Sequence, residues 1–156
     1  MAYIIEKAIY SDESWAVELC PDIPVPGYLI LRPSQTTASL RDLSPEQMAA
    51  LGPILAKMVS VIEDVVRPEK VYVCLFDESG SGIHFHLFPR HGWMKDFNQM
   101  SLDGEIDGPL LLSQILRFYR HSDPDQKLKK TVIDVAEGIA LEIRDRRLSS
   151  KPGNLA

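Results

Sequence analysis

The chain has 156 residues, of which 45% are hydrophobic and 25% are charged, a composition typical of one folded domain. Its formal net charge of −5 argues against a binder of nucleic acid, which would need a basic surface. No apolar run approaches a membrane span, and the first residues lack the basic region of a signal peptide. The two cysteines, Cys20 and Cys74, are far apart, which favours a reduced protein in the cytoplasm.

The first half of the chain predicts three strands followed by a helix. AIYSDESWAVELC is typical of two short strands around a polar turn at residues 11–14, and YLILRP (28–33) predicts a third strand. The helix has clear start signals: Ser44 is a favourable N-cap, Pro45 suits the first helical position, and Gln47 completes a capping box.

The second half predicts two more strands and two helices. KVYVCLF (70–76) and IHFHLF (83–88) are rich in strand-forming residues and are separated by a polar loop. After an irregular segment, helices are predicted from about 109 to 120 and from about 124 to 147. Because the strands are grouped and do not alternate with helices, the pattern favours an α+β fold with a mostly antiparallel sheet.

The stretch SGSGIHFHLFPR carries two histidines on one predicted strand. Side chains two apart on a strand point to the same face, so His84 and His86 stand side by side, roughly 7 Å apart. Ile83, Phe85 and Leu87 point to the other face and are predicted to be core. Paired imidazoles can act as nucleophile, general acid or base, or metal ligands, and they also occur by chance on half-exposed strands.

The residues around this strand favour an anion site. Ser79, Gly80, Ser81 and Gly82 precede the histidines, and their backbone N–H groups can form a concave site for phosphate oxygens. Arg90 ends the strand and offers a planar fork of donors to an anion. A nucleophilic imidazole beside a phosphate site is a coherent chemical arrangement.

Three stretches in the same order, VPGYLILRP, LRDLSPEQMAALGPIL and HFHLFPR, resemble the histidine triad (HIT) superfamily over roughly residues 3–95. The resemblance implies a five-stranded, mostly antiparallel sheet with a packed helix in a core over 1–95. It also implies a homodimer, a nucleotide substrate, and neither metal nor other cofactor. We expect residues 96–148 to form a helical C-terminal extension of the same domain, and 149–156 to be a frayed tail.

The resemblance also assigns roles by position. His84 matches the middle histidine, which attacks the α-phosphorus of a nucleotide, and His86 matches the last histidine, which contacts the phosphate or the bridging oxygen. Ser79 matches a hydroxyl residue near the phosphate, and Arg90 matches the arginine of the final Pro-Arg pair.

Three positions depart from the family pattern. Gly82 stands in place of the first histidine, although it keeps the backbone carbonyl that orients the nucleophile. Tyr28 stands where a fourth histidine often supports the triad. Cys20 stands where an acidic or amide residue binds the ribose hydroxyls, and Asp22 is a nearby substitute because a thiol is a weak acceptor.

Three hypotheses remain open from the sequence. The first is a HIT-like hydrolase of nucleotide phosphoanhydride or phosphoramidate bonds, such as those of dinucleoside polyphosphates. The second is a nucleotide-binding protein whose catalysis is weakened by its departures from the pattern. The third is a metal site on His84 and His86, completed by Asp77, Glu78 or His91.

Overall fold

A computed structural model describes residues 8–20, 22–76, 78, 80, 82–97 and 104–149. Five strands form one sheet: β1 (Tyr10–Ser11), β2 (Trp15–Leu19), β3 (Leu29–Pro33), β4 (Lys70–Leu75) and β5 (Phe85–Arg90). Their order is β1-β2-β3-β5-β4, and every neighbouring pair is antiparallel. The predicted α+β fold with a five-stranded antiparallel sheet is confirmed.

The helices are α1 (Pro45–Val66), α2 (Gly108–Arg120) and α3 (Gln126–Ser149), with short 3-10 helices at Leu40–Asp42 and Gly92–Phe97. The segment predicted to be irregular after the last strand therefore contains a helical turn, whose Met94 is fully buried. Over the described residues, none of these helices combines the length and the apolar character needed to cross a bilayer.

The ends of the helices follow from local capping. The Ser44 side chain accepts from the Gln47 N–H at 3.2 Å, and the Gln47 side chain accepts from the Ser44 N–H at 2.9 Å, so the predicted capping box of α1 is present. The helix α3 begins slightly later than predicted, where Asp125 accepts from the Leu128 N–H at 2.7 Å. It continues to Ser149, so only 150–156 of the predicted tail lie beyond it, outside the described residues.

One face of the sheet, which we call the α1 face, is covered by the apolar core. It is formed by alternate buried residues of β2, β3 and β5, and α1 packs on it through Ile54, Met58, Val61 and Ile62. The helix α3 packs against α1 and adds its own buried residues to the same cluster. Ile83, Phe85 and Leu87 belong to this cluster, so the predicted alternation around the two histidines is confirmed.

The opposite face, which we call the histidine face, is only partly covered. The helix α2 packs on it through Leu111, Leu112 and Ile115, which share a second apolar cluster with Tyr28 and Phe88. This cluster covers one part of the face, and a cavity occupies another part. The residues after 96 therefore contribute to both sides of the sheet, with α3 behind the core and α2 beside the histidines.

Candidate active site

The register of the strands aligns residues of the histidine face in a row across the sheet. Glu18 of β2 lies opposite Ile30 of β3, which lies opposite His86 of β5, which in turn lies opposite Cys74 of β4. Because side chains alternate along each strand, Arg32 projects from the same face as Ile30. The sheet thus presents a patterned surface of polar and apolar groups around His86.

His84 lies immediately before β5, and its ring is oriented by the backbone. Its Nδ1 atom lies 3.0 Å from the carbonyl oxygen of Gly82. A carbonyl only accepts hydrogen bonds, so Nδ1 carries the proton and Nε2 keeps its lone pair. His84 is half-buried and lines the cavity, which leaves it in the tautomer that a nucleophile needs.

Gly82 is required by the backbone at its position. Its φ is +82°, in the left-handed region that side chains disfavour. A Cβ atom built there would lie 2.7 Å from the carbonyl oxygen of Thr37, which already accepts a hydrogen bond from Ile83 N–H at 2.8 Å. Only glycine therefore fits at position 82, where the chain passes close to Thr37. The carbonyl of the same residue orients His84.

His86 is the second imidazole of the site, and it is held by Tyr28. Its Nδ1 atom lies 2.7 Å from the Tyr28 hydroxyl, and its ring centroid lies 4.8 Å from that of His84. Burial, with a smaller effect of His84 beside it, lowers the pKa of His86 to about 4. The imidazole is therefore neutral at pH 7. In the tautomer whose Nδ1 atom accepts from the Tyr28 hydroxyl, Nε2–H is its remaining donor.

Tyr28 thus acts on the site through His86. The residue is almost fully buried, at 1% exposure, and burial raises the pKa of its hydroxyl further above its ordinary value. Its hydroxyl stays protonated at physiological pH and remains a donor. The sequence placed Tyr28 among the nucleotide-binding residues, and the structure shows its hydroxyl in contact with His86.

Cys20 and Asp22, which the resemblance places near a ribose, both line the cavity at the end of β2. Burial raises the pKa of the Cys20 thiol to about 11, so the group is neutral and a weak hydrogen-bond partner. Asp22 is exposed, and its carboxylate is the stronger acceptor at this end of the cavity.

The cavity has a volume of about 760 Å³, within the range of sites for small molecules, roughly 300–1,000 Å³. It brings together five predicted residues: Cys20, Asp22, Tyr28, His84 and His86. Gly80 of the predicted anion-binding loop also lines it. The other lining residues were not predicted, and they are Glu18, Ile23, Ile30, Arg32, Thr36, Leu116 and Arg120.

One wall of the cavity contains an ion pair that was not predicted from the sequence. Arg32 Nε donates to Glu18 Oε1 at 3.0 Å, and its terminal NH2 group contacts the same carboxylate oxygen. The alternation from Tyr28 through Ile30 to Arg32 was a signal for this wall, because all three share one face. The alternation along β3 does not predict that β2 lies beside it or that α2 packs over this face.

Arg90, predicted to bind an anion, is not part of the cavity lining. It is buried, and its guanidinium donates to Glu69 at 2.6 Å, while Glu69 also binds Lys95 at 2.7 Å. Arg90 pairs in register with Lys70, at the far end of β5 from His84, which explains why it joins Glu69. Ser79, also predicted near the phosphate, lies outside the described residues.

The metal hypothesis receives no third ligand from His91. Its Nε2 atom lies 2.9 Å from the carbonyl oxygen of Pro26, and its ring stacks on Trp93. Within the described ranges, no three histidine, cysteine, aspartate or glutamate side chains are grouped so that they can hold a metal ion. Asp77, one of the proposed ligands, lies outside those ranges.

Solved structures with the same fold are numerous, whereas no family model and no curated protein matches this chain. A zinc-bound histidine triad family protein from Mycobacterium smegmatis is 19% identical, covers 89% of this chain and 88% of its own, and has a TM-score of 0.54. A hypothetical histidine triad nucleotide-binding protein from Sulfolobus tokodaii is 13% identical, with coverages of 98% and 93% and a TM-score of 0.58.

A third similar structure, a histidine triad protein from Sinorhizobium meliloti, is 16% identical, covers 85% of each chain and has a TM-score of 0.57. At these identities the likeness is one of fold. The chain has the fold of the histidine triad proteins, as the resemblance of its three sequence stretches implies.

Proposed function

We propose that this protein is a hydrolase of nucleotide phosphoanhydride or phosphoramidate bonds and that His84 is its nucleophile. The observation that carries this proposal is the pair of oriented imidazoles in the cavity. The Gly82 carbonyl leaves His84 Nε2 with a free lone pair, and Tyr28 leaves His86 with a donor at Nε2. A nucleophile and a neighbouring donor are what substitution at a phosphorus centre needs.

In the first step, the lone pair of His84 Nε2 forms a bond to the α-phosphorus, and the bond from that phosphorus to the leaving oxygen or nitrogen breaks. A polyphosphate leaves as an anion, and an amine leaving group takes its proton from water. The positive charge that develops on the His84 ring is stabilised by Nδ1–H donating to the Gly82 carbonyl. His86 Nε2–H donates a hydrogen bond to the phosphoryl group without transferring its proton.

In the second step, water attacks the same phosphorus and the bond to His84 Nε2 breaks. The electron pair returns to the imidazole, the water proton is released to solvent, and a nucleoside monophosphate leaves. No group on the protein is consumed. His86 is neutral in the free protein, so in this sequence it acts as a hydrogen-bond donor that keeps its proton.

The ribose and the base are proposed to occupy the end of the cavity near Asp22 and Ile23. Asp22 supplies an acceptor for the ribose hydroxyls and Ile23 supplies an apolar wall. Cys20, as a neutral thiol, contributes shape and little polarity, which favours weak ribose recognition. Tight nucleotide binding without turnover would support the alternative, a nucleotide-binding protein with weakened catalysis.

A homodimer is part of the same proposal. The strand β4 is an edge of the sheet, and Val73 on it is 44% exposed. An exposed edge with apolar side chains is a template for pairing with a second strand. Pairing of β4 with its copy would extend two sheets into one of ten strands.

The thiols of Cys20 and Cys74 are both free, which supports the cytoplasm as the compartment.

The test is hydrolysis of a panel of adenosine and guanosine phosphoramidates and dinucleoside polyphosphates by the wild type and by His84→Ala. We expect turnover of at least one substrate class by the wild type and none above background by the variant. Equal, slow hydrolysis by both proteins would contradict catalysis through His84. Light scattering of the same wild-type sample measures whether it is a dimer.

A further inference from the structure

The C-terminal half of α2 forms a wall of the histidine cavity. Leu116 and Arg120 are four residues apart, so they lie on the same side of the helix, and both line the cavity. The helix is fixed in this position by Leu111, Leu112 and Ile115, which are buried in the cluster on the histidine face. The wall is therefore a rigid part of the site.

A second cavity of about 300 Å³ lies along the same helix. Leu116 and Arg120 line both cavities, so the two spaces meet at these side chains. The second cavity is bounded on the sheet side by Phe76, whose ring is 54% exposed and lies 5.7 Å from the ring of His86. A path thus leads from His84 past His86 to Phe76 and α2.

The charges along this path favour an anion beyond His86. In the first cavity, Arg32 is paired with Glu18, and Asp22 adds a further carboxylate. Arg120 is exposed, and over the part of the chain that the structure describes it takes part in no ion pair. Its guanidinium is available at the junction of the two cavities to bind a phosphate in a bidentate manner.

We propose that Phe76, Leu116 and Arg120 form a subsite for the leaving group, and that Arg120 selects substrates whose leaving group carries phosphate. The inference rests on the proposed function. Attack by His84 expels the leaving group from the opposite side of the phosphorus. The rings of His84 and Phe76 lie 4.8 Å and 5.7 Å from that of His86, and Phe76 lines the second cavity together with α2, so a leaving group that departs on the Phe76 side of His86 meets α2. The exposed Phe76 ring offers a stacking surface to a planar base on that group.

A cation in the last turn of a helix is also favoured by the helix dipole, so the experiment separates that structural role from substrate selection. Two substrates share the same adenosine 5′-phosphoryl group: adenosine 5′-phosphoramidate, whose leaving group is ammonia, and diadenosine tetraphosphate, whose leaving group is adenosine triphosphate. For each substrate, kcat/KM is measured with the wild type, Arg120→Gln, Arg120→Lys and Arg144→Gln. Arg144, on α3 behind the α1 face, is the control for loss of one positive charge.

We expect Arg120→Gln to lower kcat/KM for diadenosine tetraphosphate about tenfold, because a charge-assisted contact is lost, and to change that for the phosphoramidate less than about twofold. Arg120→Lys keeps part of the selectivity, and Arg144→Gln keeps all of it. An equal loss on both substrates, or no loss on either, overturns the subsite while leaving catalysis by His84 intact. If His84→Ala and the wild type cleave both substrates equally slowly, the proposed function fails and the subsite fails with it.

Discussion

The two faces of the sheet are formed by the same strands but have different roles. On the α1 face, alternate residues of β2, β3 and β5 are apolar and fully covered by α1, with α3 behind it. On the histidine face, the intervening residues include Glu18, Arg32 and His86, and α2 covers only part of them. Because side chains alternate along each strand, successive residues contribute in turn to the apolar core and to the surface of the candidate site.

The largest expected effect belongs to the histidine face. His84→Ala removes the proposed nucleophile, and we expect kcat to fall at least about 1,000-fold, as for other residues that form covalent intermediates. Because His84 is only half-buried, its loss leaves the free energy of unfolding nearly unchanged. The measurement is hydrolysis beside urea unfolding, with His121→Ala, an exposed histidine at the end of α2, as the control.

The converse change is made on the other face of the same strand. Leu87 is fully buried on the α1 face, and Leu87→Ala is expected to lower the free energy of unfolding by about 2–5 kcal/mol through lost burial and a cavity. The folded fraction keeps most of its kcat, since Leu87 does not line the site. Leu141→Ala, at a 49% exposed position on α3, is the control. A large loss of kcat at unchanged stability would break the separation of the two faces.

Gly82 joins the two faces, since it precedes Ile83 of the core and holds His84 of the site. Gly82→Ala places a side chain in the left-handed region and against the Thr37 carbonyl, so we expect a loss of about 1–3 kcal/mol in unfolding free energy. The kcat falls as well, because the carbonyl that orients His84 moves. Gly52→Ala, on α1 and outside the cavity, is the control, since a Cβ at Gly52 meets no atom within 4 Å.

Gly82→His restores the histidine of the family pattern and provides the opposite test of the same position. Because a histidine there would have a positive φ and a Cβ against the Thr37 carbonyl, we expect lower stability and lower activity than in the wild type. Higher activity in this variant would show that the wild type lacks a catalytic histidine at position 82. It would also contradict the steric requirement for glycine there.

A smaller effect is expected from the support of His86. Tyr28→Phe removes the hydroxyl that donates to His86 Nδ1, and kcat is expected to fall about tenfold because the ring loses its orientation and its fixed tautomer. Nitrogen NMR of the imidazoles is expected to show a mixture of His86 tautomers in the variant. Tyr72→Phe, on the same face in β4 and outside the cavity, is the control, and equal effects of the two variants would remove the special role of Tyr28.

The last expected effect is a dependence of stability on pH. The pKa of His86 is about 4 in the folded protein and about 6.5 when unfolded, so between these values the unfolded chain binds more protons. The contribution of neutral His86 is therefore complete above pH 6.5 and is lost as pH falls toward 4. His91, whose pKa is also lowered by burial, acts in the same direction.

The difference between wild type and His86→Gln isolates the contribution of His86 from that of His91 and the carboxylates. Unfolding free energies measured from pH 4 to pH 7 are expected to rise less steeply in the variant. Parallel curves for the two proteins would show that His86 titrates alike in both states and would contradict its neutral role in the site.

Much of the fold was predictable because its signals are local. The capping box at Ser44 and the alternation around Ile83, Phe85 and Leu87 depend on neighbouring residues, and both are confirmed. The side of the sheet on which α2 packs was not predictable, because an apolar helix face does not specify which of two apolar surfaces it covers. For that reason Leu116 and Arg120 were not predicted as residues of the cavity.

The predictions for individual site residues differed for a related reason. Arg90 was assigned to the site by its closeness in sequence, whereas its position at the far end of β5 and the Glu69 carboxylate decide its contacts. Gly82 was interpreted as a missing imidazole, whereas its φ of +82° shows a backbone requirement that residue types alone do not reveal.

The central claim is that His84 forms a bond to phosphorus, and one measurement tests it most directly. The wild type is mixed with a nucleotide substrate that it cleaves, quenched in denaturant at alkaline pH to preserve a phosphorus–nitrogen bond, and analysed by mass spectrometry of its peptides. The account predicts a nucleotidyl group on His84 and no such adduct in His84→Ala. Turnover without an adduct, together with inversion of configuration at a chiral α-phosphorus, would contradict it.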